Sequence, residues 1–190
     1  MMHEPLPDAH QDAYSKTVFG FWVYLLTDFM MFATLFAAYV VLHTKPIVLE
    51  KPLAQTLILL TASFTAGLAG TMAHRKNRLG TVGLFGLTFV LGTVFLWMMW
   101  VDLGRLVSAG QGWNTNAMMS ALFTLLGTHG VHVVFALLWT LVLLVPVCVE
   151  GITLVTLRRL TCLRMFWQFI NVVWVFIFSI VYLMGAYAGH

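Results

Sequence analysis

The sequence predicts an all-α membrane protein of five transmembrane helices, and three observations carry that reading. Of its 190 residues 61% are hydrophobic and only 9% charged, where soluble domains are close to half apolar, and the mean hydropathy is +0.91. The apolar residues gather into five runs, Val18 to Leu42, Ala54 to Ala73, Thr81 to Val101, Ala117 to Val147 and Cys162 to Ala186, each at or above the roughly 20 residues that a helix needs to cross the hydrocarbon core. The runs are continuous, without the period-two alternation of barrel strands.

Residues 1–17 are polar, with Glu4, Asp8 and Asp12 among them. They lack the basic start and short apolar core of a signal peptide and read as a cytoplasmic tail. The first run carries Asp28 about ten residues in, roughly 15 Å deep at 1.5 Å per residue. After a short loop with Pro46 and Pro52, the second run is crowded with Ala62, Ser63, Ala66, Gly67, Ala69 and Gly70. Small residues at such spacings let helix backbones approach closely.

A compact basic turn at His74 to Arg78 leads to the third run, which ends in Trp97, Trp100 and Asp102. Asp102 and Arg105 read as a solvated helix end. The fourth run is long enough to tilt or overhang and holds His129 and His132; the fifth holds Gln168 and Asn171. The five runs, residues 18–187, read as one domain.

Charge gives an orientation. Arg75, Lys76 and Arg78 follow the second run, and Arg158, Arg159 and Arg164 follow the fourth, whereas the other connections hold Lys45, Lys51 and Arg105. The positive-inside rule then places the N-terminus in the cytoplasm and the C-terminus in the periplasm. The net charge of +3 comes from these loops and speaks to topology rather than to nucleic acid. Cys148 and Cys162 lack metal-binding spacing and, on the cytoplasmic side, read as free thiols. The Met30-Met31, Met98-Met99 and Met118-Met119 pairs read as gap-fillers.

Polar groups inside an apolar run are functional candidates by default. His129 and His132, three apart, share a helix face. Counted from Ala117 they lie roughly 18 and 22 Å deep, and counted from Cys162, Gln168 and Asn171 lie roughly 9 and 14 Å deep on the opposite approach. In a core of about 30 Å the depths match His129 with Asn171 and His132 with Gln168, which suggests an interhelical polar ladder. A haem or metal site is disfavoured, because the remaining histidines sit at helix ends or termini (His3, His10, His43, His74, His190) and a metal wants further converging ligands. Asp28 is the sharper residue, since a carboxylate at mid-helix costs about 2.5–3.5 kcal/mol on insertion scales. Two readings stand for it: a protonated structural acid, with Tyr24 as one donor, or a group that exchanges protons or contacts a lipid headgroup.

Phe19 to Asp28, then Gly127-Thr128-His129-Gly130-Val131-His132-Val133, then Phe166 to Trp174 and Val181 to Gly185 resemble, in that order, subunit III of the haem-copper oxidases. The likeness is to the short five-helix form of the cytochrome o type of quinol oxidase, and it runs from Phe19 to Ala186. It implies a non-catalytic subunit of the bacterial inner membrane without a redox centre or metal of its own. Haems and copper are implied for subunit I, ubiquinol for the complex, subunits I, II and IV and phospholipid as partners, and sustained proton uptake and assembly as the role. It places Asp28 at the family's buried carboxylate, His129 and His132 in its histidine motif, and Asp102 at a family acid. The chain departs from the family at Gln168 and Asn171, where His and Asp are usual, and at Gln55, Met99 and Ala136. Those departures weaken a proton chain through the last two helices and leave the packing role intact. The rivals are an accessory protein of nitric oxide reduction or oxidase assembly and, in another class, an independent transporter. Five unequal spans without an internal repeat disfavour the transporter.

Overall fold

The computed structural model describes residues 9–42, 52–149 and 151–187, with side chains over 14–42, 53–149 and 151–181. The first eight residues, the loop between the first two runs and the C-terminal His190 lie outside them. The elements are α1 (Ala9–Leu42), α2 (Pro52–His74), α3 (Arg78–Ser108), α4 (Ala117–Val149) and α5 (Leu154–Tyr187). All five are long and apolar enough to cross a membrane, and no strand occurs among the described residues. The protein is a multi-pass, all-α membrane protein.

Local chemistry explains the helix ends. Asn77 caps α3, its Oδ1 accepting from the Gly80 amide at 3.2 Å, which is the usual way a free first-turn N–H is satisfied. The turn before it needs Lys76 in the left-handed region at φ 55. At the far end Gly110 at φ +75 donates to the Val107 carbonyl at 3.0 Å, a glycine-assisted C-cap. Thr153 starts α5 by taking the Thr156 amide on its hydroxyl at 3.2 Å.

Four helices begin before their apolar runs, α2 and α3 by two and three residues and α1 and α5 by eight or more. α5 starts at Leu154 rather than Cys162, because Thr153 supplies a cap and Arg158 and Arg159 are good helix formers that interrupt only the apolar pattern. α1 starts at Ala9, inside the polar tail. Its first turns are held to α5, where the Tyr14 hydroxyl meets the Thr161 hydroxyl at 3.3 Å.

Each of α2 to α5 packs on two of the others, α2 on α3 and α5, α4 on α3 and α5, so they close a ring; α1 packs only on α4 and α5 and touches neither α2 nor α3 among the described residues. Small residues set the close crossings. Ala62, Ala66, Ala69 and Ala73 are all at most 1% exposed, so the second run is packed as its spacing predicts. At Gly92 on α3 a Cβ would stand 2.5 Å from the Trp167 ring and 3.1 Å from Leu137. At Gly130 on α4 it would stand 2.5 Å from the Met99 methyl. The outer surface is apolar, with Trp97, Trp100, Val131 and Val142 exposed, as lipid or neighbouring subunits require. The methionines divide: Met30 is exposed, while Met99, Met118 and Met119 are buried.

Candidate functional site: a half-buried acid–imidazole pair

α1 lies against α4 so that Asp28 faces His132. The Asp28 Oδ2 atom is 3.5 Å from the His132 Nε2 atom, and the two side chains are 14% and 16% exposed. The other ring nitrogen of His132, Nδ1, lies 2.8 Å from the Thr128 carbonyl one turn back. A carbonyl only accepts, so Nδ1 carries a hydrogen. In the neutral ring Nε2 is then a bare acceptor aimed at the carboxyl group. The 3.5 Å contact is an ion pair only when the ring is protonated, and Asp28 Oδ2 has no hydrogen-bond partner among the described residues.

The surroundings keep this pair dry. Phe32, 1% exposed, stands with its ring 5.2 Å from that of His132, and Phe166 stands 6.2 Å from it on the opposite helix. Tyr24, one turn before Asp28, faces the same carboxylate. In so apolar a setting an unpaired charge is costly.

The expected ladder has other rungs. His129 is fully buried and its Nε2 donates to the Ile170 carbonyl at 3.3 Å, leaving Nδ1 without a partner. His132 turns to Asp28 and Thr128, as above. Gln168 is exposed, with its amide nitrogen toward Gly67 of α2, 3.8 Å from where a Cβ would stand. Asn171 is half-buried with Oδ1 unpartnered. Depth and spacing fix height along a helix but not the direction a side chain takes round it. α5 turns Phe166, Trp167 and Ile170 toward the core and swings Gln168 away.

Asp102 is likewise not a solvated end. Its side chain is 11% exposed and its Oδ1 lies 3.8 Å from Arg105, while its Oδ2 accepts from the fully buried Gln55 at 2.6 Å. This clasp joins α2 to α3. Two tryptophan bonds were not foreseen: Trp167 Nε1 donates to Thr140 at 3.1 Å, and Trp174 Nε1 to Thr56 at 3.1 Å. Buried indoles need such partners, and threonines on the small-residue faces were the available signal. Cys148 and Cys162 are free thiols, the first exposed and the second buried.

Exchanging Asp28 for Asn keeps a donor opposite Nε2, whereas Ala removes it. With interhelical hydrogen bonds in membranes averaging about 0.6 kcal/mol and reaching about 1.7, Asp28→Ala is expected to weaken α1 docking by about 1 kcal/mol, and Asp28→Asn by less. Unfolding in mixed detergent micelles reads both, and equal losses would remove the case for a hydrogen-bonded pair.

Fold and site together define a multi-pass helical membrane protein with an acid–imidazole contact, Asp28 to His132, between α1 and α4. A family model described as cytochrome c oxidase subunit III matches residues 42–186. Cytochrome bo(3) ubiquinol oxidase subunit 3 of Pseudomonas aeruginosa is 40% identical, with 98% of both chains covered. The protein of that name from Pseudomonas putida is 36% identical, over 92% of this chain and 88% of its own length. Cytochrome c oxidase subunit 3 of Bacillus sp. (strain PS3) is 38% identical, over 87% of this chain and 84% of its own length. The chain belongs to the subunit III family of the haem-copper oxidases.

Proposed function

We propose that this chain is the non-catalytic subunit III of a proton-pumping terminal quinol oxidase in the bacterial inner membrane, with its N-terminus in the cytoplasm and its C-terminus in the periplasm. The observation that carries the choice of quinol is the relative named a ubiquinol oxidase subunit at 40% identity, matched over 98% of both chains. In this reading the chain packs against subunit I, which holds the haems and copper, and assembles with subunits II and IV. Its own residues take no part in oxygen chemistry. They keep the subunit folded, hold phospholipid, and support sustained proton uptake.

The geometry supports those roles in two places. A groove of about 520 Å³ between α1, α4 and α5 is lined by Thr17, Phe21, Tyr24, Trp139, Arg158 and Arg159, among others. Its apolar wall and cationic end suit a phospholipid. The Asp28–His132 contact sets an acid and an imidazole 3.5 Å apart where α1 meets α4, which supports a part in proton uptake.

The test is purification in mild detergent from cells expressing the chain. A haem-bearing subunit I should accompany it, and the complex should consume oxygen with ubiquinol. Without the chain the complex should turn over at first and lose activity during repeated turnover. Oxidation of cytochrome c instead of quinol would move the protein to the donor class that the Bacillus relative's name indicates. Copurification without haem would sink the assignment.

A further inference from the structure

α1 is the least held of the five helices. Its span is the least buried of the five, and among the described residues it rests on α4 and α5 without reaching α2 or α3. A groove opens on each side of it. One, of about 590 Å³, has Trp22, Leu26 and Phe29 facing Gln168 and Phe169; the other, of about 520 Å³, has Phe21 and Tyr24 facing Trp139 and Arg158. Space for α1 to shift therefore lies on both sides. Helix pairs in lipid are held by packing and hydrogen bonds rather than by expulsion of water, so a polar contact at mid-helix weighs heavily where packing is so sparse.

The contact at mid-helix is one that needs a hydrogen. The Thr128 carbonyl, 2.8 Å from His132 Nδ1, keeps the hydrogen of a neutral ring on that nitrogen, so Nε2 turns a bare lone pair toward Asp28 Oδ2 at 3.5 Å. Oδ2 is itself buried and has no hydrogen-bond partner among the described residues. With the ring neutral and the carboxyl ionised, two acceptors face each other in an apolar seam and repel. One hydrogen on either atom makes the contact attractive, as an ion pair if it sits on the ring and as a neutral O–H···N bond if it sits on the acid. The other titratable and charged groups around the pair are few. Tyr24 of α1 faces the carboxylate, and His129 of α4 lies one turn before His132. α5 turns the Phe166 ring to the imidazole, and its Arg158 and Arg159, two turns earlier, share a groove with Tyr24. None of these gives Oδ2 a hydrogen bond.

We infer that the α1–α4 seam is a proton-dependent lock: α1 is seated on α4 while Asp28 and His132 hold a proton between them, and is loosened when they hold none. The sign follows from linkage. Seating takes up a proton wherever the separated groups would hold none, so in that range it weakens as pH rises, by at most about tenfold per pH unit, the slope of a single proton. At lower pH, where the acid keeps its proton whether α1 is seated or not, the seam is indifferent to pH. The lock stands on the geometry of two side chains and not on the choice of electron donor or on the assignment to an oxidase.

The experiment follows the separation of α1 from α2 in the protein purified with whatever subunits accompany it and placed in nanodiscs. Cys148→Ser and Cys162→Ala remove the native thiols, and spin labels are attached through Val41→Cys near the end of α1 and Leu53→Cys at the start of α2, both at exposed positions. Pulsed dipolar EPR reads the distribution of distances from about pH 5 to about pH 9, which brackets the range over which histidine usually changes charge. With Asp28 and His132 intact, the distribution should be narrow at the acid end and should broaden or shift toward the alkaline end. Asp28→Asn sets an amide N–H opposite Nε2 at every pH and should keep the distribution narrow throughout; Asp28→Ala should leave it broad throughout. A distribution that does not change with pH when both residues are intact would overturn the lock, and so would a change that persists undiminished in Asp28→Asn. Asn is nearly isosteric with Asp, so that comparison survives if Asp28→Ala does not fold. A preparation without haem or quinol oxidation would count against the proposed function and leave the pH scan to be read as before.

Discussion

Replacing Gly92 by valine is expected to destabilise the bundle by about 1–3 kcal/mol, the range for overpacking a well-filled interior. Even the first added carbon would stand 2.5 Å from Cη2 and 3.3 Å from Cζ3 of Trp167, and 3.1 Å from Leu137. The indole cannot swing aside cheaply, because it is fully buried and tethered by its Nε1 bond to Thr140. α3 must instead move away from α4 and α5, and lost contact is the main cost where helix association rests on packing rather than on expulsion of water. Reversible unfolding in mixed micelles of mild detergent and dodecyl sulfate measures the loss. Combining Gly92→Val with Trp167→Phe should cost less than the two changes added, with a coupling of about 0.5–3 kcal/mol. Simple additivity would show that the two residues do not compete for one space.

Asp102→Leu is expected to cost about 1–3 kcal/mol, the penalty of leaving a buried polar group unpaired. The change strands Gln55, which is fully buried and donates its amide to the Asp102 carboxylate at 2.6 Å; its Oε1 already lacks a partner. Removing both partners is cheaper than removing one, so Gln55→Leu added to Asp102→Leu should recover most of the loss. The same micelle titration reads this, and a double variant as weak as the single would mean that Asp102 acts through Arg105 instead. The clasp also gives meaning to a departure from the family. With an acid at both positions, two carboxyls would share one proton; with Gln55 the bond forms at any protonation state of its neighbour.

Length and hydropathy made the five spans legible, because a continuous apolar run of about 20 residues has few other uses. The ends were less legible. Arg158 and Arg159 break an apolar run without breaking a helix, so α5 begins eight residues before its run does. The polar interior was half legible: residue types identified Asp28, His129 and His132, but their partners did not follow. The depth count gave the heights: His129 reaches the Ile170 carbonyl beside Asn171, and the His132 ring lies 6.2 Å from Phe166, near Gln168 in height. What it could not give was the turn of His132 toward Asp28 on α1. The rotation of Gln168 away from α4 was invisible, since side-chain azimuth depends on which neighbours α5 acquires.

The position of α1 sets an order in time. Among the described residues its neighbours are α4 and α5 alone, so the helix made first is the last to find its place. About a hundred residues of synthesis separate Asp28 from His132, roughly 5–20 s at the usual pace of translation. Through that interval α1 waits in lipid with a carboxyl group that no later helix yet covers, a state that insertion scales put at about 2.5–3.5 kcal/mol if charged. A chain halted after α3 would carry all of α1 and none of the surface it rests on. His132 thus covers the acid only once α4 has been made, with α5 still to follow.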